Sequence, residues 1–189
     1  MTPSSWRRYA DRDELVERIR SFDEAVDKAL EKHRTATADR FFYPLSSAAD
    51  HSVIWVLIAA ARRASTNDHA HGFRRSVAVL GAESFLTNVL VKSYFKRRRP
   101  ADLSTSGEPL PYGLRRPVTS SFPSGHATSA FTAAAFLSKG DPLAPAYYGL
   151  ATLVAASRVY VRLHHASDVV AGAAFGFALG RIARRLVGK

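Results

Sequence analysis

The chain has 189 residues, with 27 Lys and Arg against 16 Asp and Glu for a net charge of +11, and 47% of it is hydrophobic. That is about one domain with ample apolar material for a core, which excludes a disordered tail. It contains no cysteine, so disulfides, thiolate metal sites and cysteine nucleophiles are excluded. The positive charge asks for an anionic partner, and nucleic acid, anionic lipid and a phosphorylated substrate all satisfy it.

The charge is unevenly placed. Residues 1–40 hold 9 basic and 9 acidic side chains, so residues 41–189 carry the whole excess. The division predicts an N-terminal helical segment, 1–40, and a separate helical body, 41–189. No apolar run precedes residue 41, so no secretory leader is expected. Within the first segment, Leu15, Ile19, Phe22, Val26 and Leu30 recur at helical spacing and predict an amphipathic helix over 12–33. Asp11 followed by Glu14 suits its N-cap and capping box. Such a helix either lies on a membrane surface or covers one side of the core.

From residue 41 onward the pattern changes to apolar, small-residue segments separated by charged loops. Five helices are expected, at 44–61, 76–91, 124–138, 143–161 and 166–180. The last carries Gly172, Gly176 and Gly180 at four-residue spacing, a small face suited to close helix approach within or between chains. A spanning helix needs roughly 20 mainly apolar residues. No segment is that long without a polar interruption, and mean hydropathy is −0.11, an average lowered by the charged first segment. Trp55, Tyr147, Tyr148 and Tyr160 fall where interfacial anchors belong. The expected fold is an all-α membrane bundle of about five spans, against a soluble all-α domain as the alternative.

Three clusters carry chemistry. The first runs from Lys92 to Arg99 and Pro100. Lys92 and Arg99 are two helical turns apart and can share a face, and Pro100 disfavours further helix. Alone it also reads as a juxtamembrane or nucleic-acid-binding basic patch. The second, Pro123-Ser124-Gly125-His126, opens a helix whose free N–H groups make an anion site. Gly125 admits an anion close to the backbone, and His126 stands beside it for proton transfer. The third joins Arg158, His164 and Asp168. Arg158 offers a planar fork to phosphate oxygens. His164 and Asp168 are neighbours at four-residue spacing, and a carboxylate on one imidazole nitrogen leaves the other basic or nucleophilic.

In an up-and-down bundle, successive loops alternate between the two ends. All three clusters therefore fall at one mouth, where bundle sites are built. Three cations, a helix N-terminus, two histidines and a single carboxylate fit a phosphate held by fixed charge, with one histidine to attack and one to protonate. They do not fit a hydrolytic metal cage.

Lys92-x6-Arg99-Pro100, Pro123-Ser124-Gly125-His126 and Ser157-Arg158-x5-His164-x3-Asp168 resemble the three-part signature of the type-2 phosphatidic acid phosphatase superfamily, which also contains vanadium haloperoxidases. The stretches 49–55 and 114–126 are similar to those of small actinobacterial membrane lipid phosphatases. The resemblance implies that His164 attacks phosphorus to form a phosphohistidine and that Asp168 orients it. By the same resemblance, His126 protonates the leaving alkoxide and then helps to activate water. Lys92, Arg99, Arg158, the Ser124 hydroxyl and the Gly125 N–H would hold the phosphoryl oxygens, and no metal or cofactor is implied. His165 is a rival nucleophile, disfavoured by its three-residue spacing to Asp168.

The implied function is an integral-membrane lipid phosphate phosphatase acting on phosphatidate, a polyprenyl phosphate or diphosphate, or a polyprenyl-linked sugar phosphate. Its partners would be the bilayer and the lipid substrate, not nucleic acid, and homo-oligomer formation stays open. A soluble acid phosphatase or vanadate-dependent haloperoxidase could use the same pocket, and a basic membrane scaffold is the alternative of another class. The additional Lys96, Arg97 and Arg98 either attract an anionic headgroup or diphosphate, or are solvated anchors. Arg62, Arg63, Arg74, Arg75, Lys139, Arg181, Arg184, Arg185 and Lys189 gather at the end opposite the site. By the positive-inside rule this places the active site on the extracytoplasmic side of the cell membrane.

Overall fold

Apolar runs punctuated by caps give helices, and among the described residues every regular element is helical. The computed structural model describes residues 3–65, 69–100, 112, 114 and 119–187. Residues 115–118 of the 114–126 stretch, Lys189 and the side chain of Arg63 lie outside that description. The helices are α1 (Pro3–Lys32), α2 (Ala36–Ala48), α3 (Val53–Ser65), α4 (His69–Phe85), α5 (Lys92–Tyr94), α6 (Gly125–Leu137), α7 (Ala144–Tyr160) and α8 (Ala166–Val187).

α6 is the axis of the body. Ala127, Ala130, Ala134 and Ala135 are wholly buried, because α7 and α8 lie close on either side. The glycines of α8 make the α6–α8 approach. A Cβ on Gly172, Gly176 or Gly180 would stand 2.6, 2.1 and 2.4 Å from the carbonyl oxygens of Ser124, Thr128 and Thr132. The Thr132 hydroxyl donates to the Gly176 carbonyl at 3.1 Å. The small face therefore serves packing inside the chain. Against the opposite side of α6, Trp55 of α3 and Leu80 of α4 join Ala130, Ala133 and Val154 in the main apolar cluster.

Several expected elements differ. The segment expected at 44–61 is two helices, because a 3₁₀ turn at Asp50–Ser52 interrupts it and Ser52 adopts φ 60°, the left-handed region. The segment expected at 76–91 starts earlier, at His69, and its last six residues, Leu86–Val91, widen into a π-turn. The helix ends at Tyr94, well before Pro100, and Phe95 leaves it in an extended conformation. Lys92 and Arg99 therefore do not share a helical face.

The first helix begins at Pro3, so Asp11 lies inside it rather than at an N-cap, and Glu14 pairs with Arg18 at 2.7 Å. Leu15, Ile19 and Phe22 are exposed, while Val26 and Leu30 pack on Ala127, Val159 and Val169. Trp55, Tyr147 and Tyr160 are not outward-facing anchors. All three are buried, and the Tyr147 and Tyr160 hydroxyls donate to Asp141 and Asp39 at 2.8 and 2.7 Å.

α8 is long and apolar enough to cross a membrane. α2 and α3 pass that test only as a pair bent by 73°.

Candidate active site

The three clusters meet. The ends of α4–α5 and α7, the start of α6 and the turn before α8 face one cavity of about 320 Å³, lined by Lys92, Arg99, Gly125, His126, Arg158 and His164. Each side chain arrives by a local device. The π-turn brings Glu83 and Asn88, five positions apart, onto one face, so Glu83, Asn88 and Lys92 all line the same wall; widened turns of this kind recur at functional sites. Arg99 arrives on an extended segment tied to the approach to α6: the Ser121 N–H donates to the Arg97 carbonyl at 3.1 Å, and the Ser121 hydroxyl to the Arg98 carbonyl at 3.1 Å. Arg158 stands in the last turn of α7. Its carbonyl accepts from the N–H groups of Leu163 and His164 at 3.1 and 3.2 Å, which folds the α7–α8 turn back and presents His164.

The His164 ring is fully buried and its orientation is fixed on both sides. Nδ1 donates to the Ser121 carbonyl at 2.7 Å. Asp168 Oδ2 lies farther off, 3.8 Å from the same nitrogen. The backbone carbonyl is thus the nearer orienting group, and the expected direct His164–Asp168 bond is replaced by a through-space pairing. With the proton on Nδ1, Nε2 keeps its lone pair and accepts from Arg99 Nη1 at 3.2 Å. Burial, and then the charges of Arg99, Arg158 and Lys92, push His164 down to about 3 despite the opposing pull of Asp168, so the resting ring is neutral. His165 faces elsewhere, into a groove bounded by α1 and Phe95.

Two guanidinium groups are incompletely satisfied. Arg99 donates to the carbonyls of Leu163 and Thr119, and Arg158 to the carbonyl and hydroxyl of Ser46. Among the described residues, Arg99 Nε and Arg158 Nε are buried with no acceptor. A buried donor left unmade costs about 1–3 kcal/mol, and an anion in the cavity would supply an acceptor for both. Gly125 completes the cradle: a Cβ there would stand 3.5 Å from Lys92 Nζ and 3.1 Å from Asn88 Oδ1. Burial, its leading influence, pushes Arg99 down to about 10, so it stays a cation at neutral pH.

Ser124 does not line the cavity. Its hydroxyl caps α6 through the Ala127 N–H at 3.5 Å, and its own N–H donates to the Asp168 carbonyl at 3.1 Å. It shapes the cradle without facing it. Arg97, expected as a headgroup or surface cation, turns inward to Asp168 and Asp23 at 2.5 and 2.6 Å. Lys96 and Arg98 are exposed.

Two carboxylates join a cavity for which the sequence clusters supplied one. Asp50 lies in the 3₁₀ turn, and its Oδ1 accepts from His126 Nε2 at 2.7 Å. Glu83 is buried on the wall that carries Lys92; Oε1 accepts from the Thr87 hydroxyl at 2.9 Å and Oε2 is without a partner among the described residues. The signals existed. Asp50 sits in the 49–55 stretch, and Glu83 is the one charge inside its apolar segment.

The His126–Asp50 pair gives a first prediction. Asp50→Asn keeps an acceptor for Nε2 but removes the charge that compensates a protonated ring. We expect kcat to fall about 100-fold on an alkyl phosphomonoester. On an aryl ester, whose leaving group needs no proton, the fall should stay under about fivefold. Parallel kinetics on the two esters check this, and equal losses on both would remove His126 from the role of acid.

The sequence profile of the PAP2 superfamily matches residues 74–189. A decaprenylphosphoryl-5-phosphoribose phosphatase of Mycolicibacterium smegmatis is 34% identical over 131 residues, covering 68% of this chain and 67% of that protein. One of the same name from Mycobacterium tuberculosis is 30% identical over 141 residues, covering 73% of this chain and 74% of that protein. Among solved structures, a transmembrane PAP2-type phosphatidylglycerolphosphate phosphatase from Bacillus subtilis superposes with a TM-score of 0.66 at 26% identity, covering 89% of this chain and 85% of the other. Aquifex aeolicus LpxE shares the fold, with a TM-score of 0.64 at 24% identity over 85% of this chain and 93% of its own.

Proposed function

The chain belongs to the PAP2 superfamily and is a phosphatase, and from that footing we propose that it is an integral-membrane enzyme releasing the terminal phosphate of a polyprenyl-linked sugar phosphate. The observation that carries the chemistry is the pair of buried, acceptorless Arg99 and Arg158 Nε–H groups beside a neutral, oriented His164.

In this scheme the phosphoryl oxygens lie against Lys92, Arg99, Arg158 and the Gly125 N–H. Preorganised charge of this kind stabilises the transferring group. His164 Nε2 forms a bond to phosphorus as the ester P–O bond breaks, and His126, doubly protonated in the reacting complex with its Nε2–H held by Asp50, gives its Nδ1 proton to the departing alkoxide. Water, activated by the same ring, then cleaves the P–N bond and releases phosphate. Asp168 compensates the charge that His164 acquires in the intermediate.

Two observations favour a sugar-bearing substrate among lipid phosphates. The relatives' names describe a phosphorylated pentose on a polyprenyl phosphate. Beside the cations, the cavity also presents Glu83, Ser84, Asn88 and Ser129. Glu83 Oε2 has no partner among the described residues, and a hydroxyl would supply one. A membrane setting is supported by α8 and by exposed Leu57, Phe85, Leu90, Leu153, Val170 and Phe177 on the outer faces of α3, α4, α7 and α8 and on the π-turn. Arg181 and Arg185 at the far end of α8 favour a cytoplasmic location for that end and an extracytoplasmic cavity. Arg62 and Arg184 weigh less there, since both donate to carbonyls at the end of α6.

The test is phosphate release, with EDTA present, from decaprenylphosphoryl-5-phosphoribose, phosphatidate and phosphatidylglycerol phosphate. The pentose substrate should turn over fastest. Glu83→Gln, which retains an acceptor for Thr87, should lower kcat/KM for the pentose substrate about tenfold or more and leave phosphatidate within about twofold. Equal loss on both would make Glu83 a support for Lys92 and not a hydroxyl reader. Preference for phosphatidate would overturn the sugar assignment.

A further inference from the structure

Residues 1–40 stand outside the stretch matched by the family profile, yet one side chain from them reaches the back of the catalytic pair. Asp23 of α1 is buried, as is Asp168. Between them lies Arg97. Its Nη2 donates to Asp23 Oδ2 at 2.6 Å and its Nη1 to Asp168 Oδ1 at 2.5 Å. Asp23 Oδ1 also accepts from the Ser167 N–H at 2.8 Å, and Oδ2 from the Ser167 hydroxyl at 2.8 Å. Arg97 Nη1 meets that hydroxyl at 2.7 Å.

Each bond has a physical reason. Ser167 is the second residue of α8, so its N–H has no partner within the helix. Asp23 supplies one from another helix, with its charge at the positive end of α8. Asp168, the third residue, turns back to the His165 N–H at 2.9 Å, as the acidic member of a capping box does. Its other oxygen is therefore free for Arg97. Charges this deeply buried persist only when paired and fully bonded, and the planar fork of arginine can bridge two carboxylates where lysine cannot.

We propose that Asp23 and Arg97 are positioning residues for the phosphatase reaction: α1 holds Arg97, Arg97 fixes the Asp168 carboxylate, and Asp168 supports His164. The N-terminal helix is thus part of the catalytic support, beyond its role as a cover for Val159 and Val169. The inference rests on His164 as the nucleophile but not on the identity of the lipid.

The full-length chain tests it on one phosphomonoester that the wild type turns over. Asp23→Asn should lower kcat about tenfold with KM within about twofold, since the cradle that binds phosphate is untouched. Arg97→Gln should lower kcat further, and Arg97→Lys should recover part of the loss. The double variant Asp23→Asn/Arg97→Gln should be no slower than Arg97→Gln alone, because Asp23 acts through Arg97. Glu24→Gln, on the neighbouring exposed position, is the control. If Asp23→Asn is not recovered folded, Asp23→Glu carries the same comparison, with activity retained. Wild-type kcat in Asp23→Asn, or losses that multiply in the double variant, would overturn the proposal and leave α1 a structural cover. A wild type that releases no phosphate would instead count against the assignment of the reaction.

Discussion

His164→Ala is expected to abolish phosphate release, by at least about four orders of magnitude in kcat, while the chain still folds. The reason is the geometry of one ring. Its Nδ1 proton is committed to the Ser121 carbonyl, so the free lone pair is on Nε2, beside the Arg99 guanidinium. Among the described residues, no second group is placed to substitute. His126 is engaged with Asp50, and His165 faces the groove beside α1. Phosphoenzyme trapping by rapid acid-free quench gives the sharper readout: a labelled phosphohistidine in the wild type, none in His164→Ala, and an accumulated one in a variant that attacks but hydrolyses slowly. Label retained in His164→Ala would assign the nucleophile elsewhere.

The same ring makes stability depend on pH with a defined sign. His164 lies in the turn between α7 and α8, and burial pushes it down from an ordinary value of 6.5 to about 3. Between these values the unfolded chain binds a proton that the folded chain refuses, so stability falls as pH drops through that window. Above pH 6.5 neither state is charged and the contribution disappears. His164→Asn, which cannot titrate, should flatten the acid side of a plot of unfolding temperature against pH while abolishing turnover.

Much of this arrangement was legible in the sequence where local signals agreed. α6 and α7 were bounded to within a residue or so because Ser124 at a helix start, Ser138 at an end and continuous apolar content all point the same way. Convergence of Lys92, Arg99, His126, Arg158 and His164 followed from counting helix ends. What was not legible depended on long-range partners. Nothing local in Ala49-Asp50-His51-Ser52 announces a broken helix, since the turn exists to bring Asp50 to His126, 76 residues away in sequence. The π-turn conserves helical composition and changes only register. Arg97 is chemically identical to Arg98 beside it, and the buried carboxylates of Asp23 and Asp168, with the Ser167 hydroxyl, draw it inward. The direct His164–Asp168 bond failed for a related reason: four-residue spacing describes two residues of one helix, whereas His164 belongs to the turn before α8.

The second large effect is expected far from the charges. Gly176→Ala should destabilise the chain severely and take activity with it. The added Cβ would stand 2.1 Å from the Thr128 carbonyl oxygen and 2.8 Å from its carbonyl carbon. These are backbone atoms, so no side-chain rotation relieves the clash and α6 must move away from α8. Overpacking costs about 1–3 kcal/mol when side chains can adjust, and a backbone obstacle places this substitution at or above that range. Separation would also lengthen the Thr132–Gly176 bond and open the contact between the Ser124 N–H and the Asp168 carbonyl at the site end. α6 carries Gly125 and His126, while α8 follows directly from His164 and carries Asp168, so one displacement pulls these groups apart. Gly149→Ala is the matched control. Gly149 lies inside α7 with nothing within 4 Å of its added Cβ, and the helix propensity of alanine should raise stability there by about 0.5–1 kcal/mol. Thermal unfolding of both variants in the same detergent, with phosphate release measured on each, makes the comparison. An unfolding temperature in Gly176→Ala equal to that of the wild type would mean that the α6–α8 approach is not what holds the catalytic residues in register.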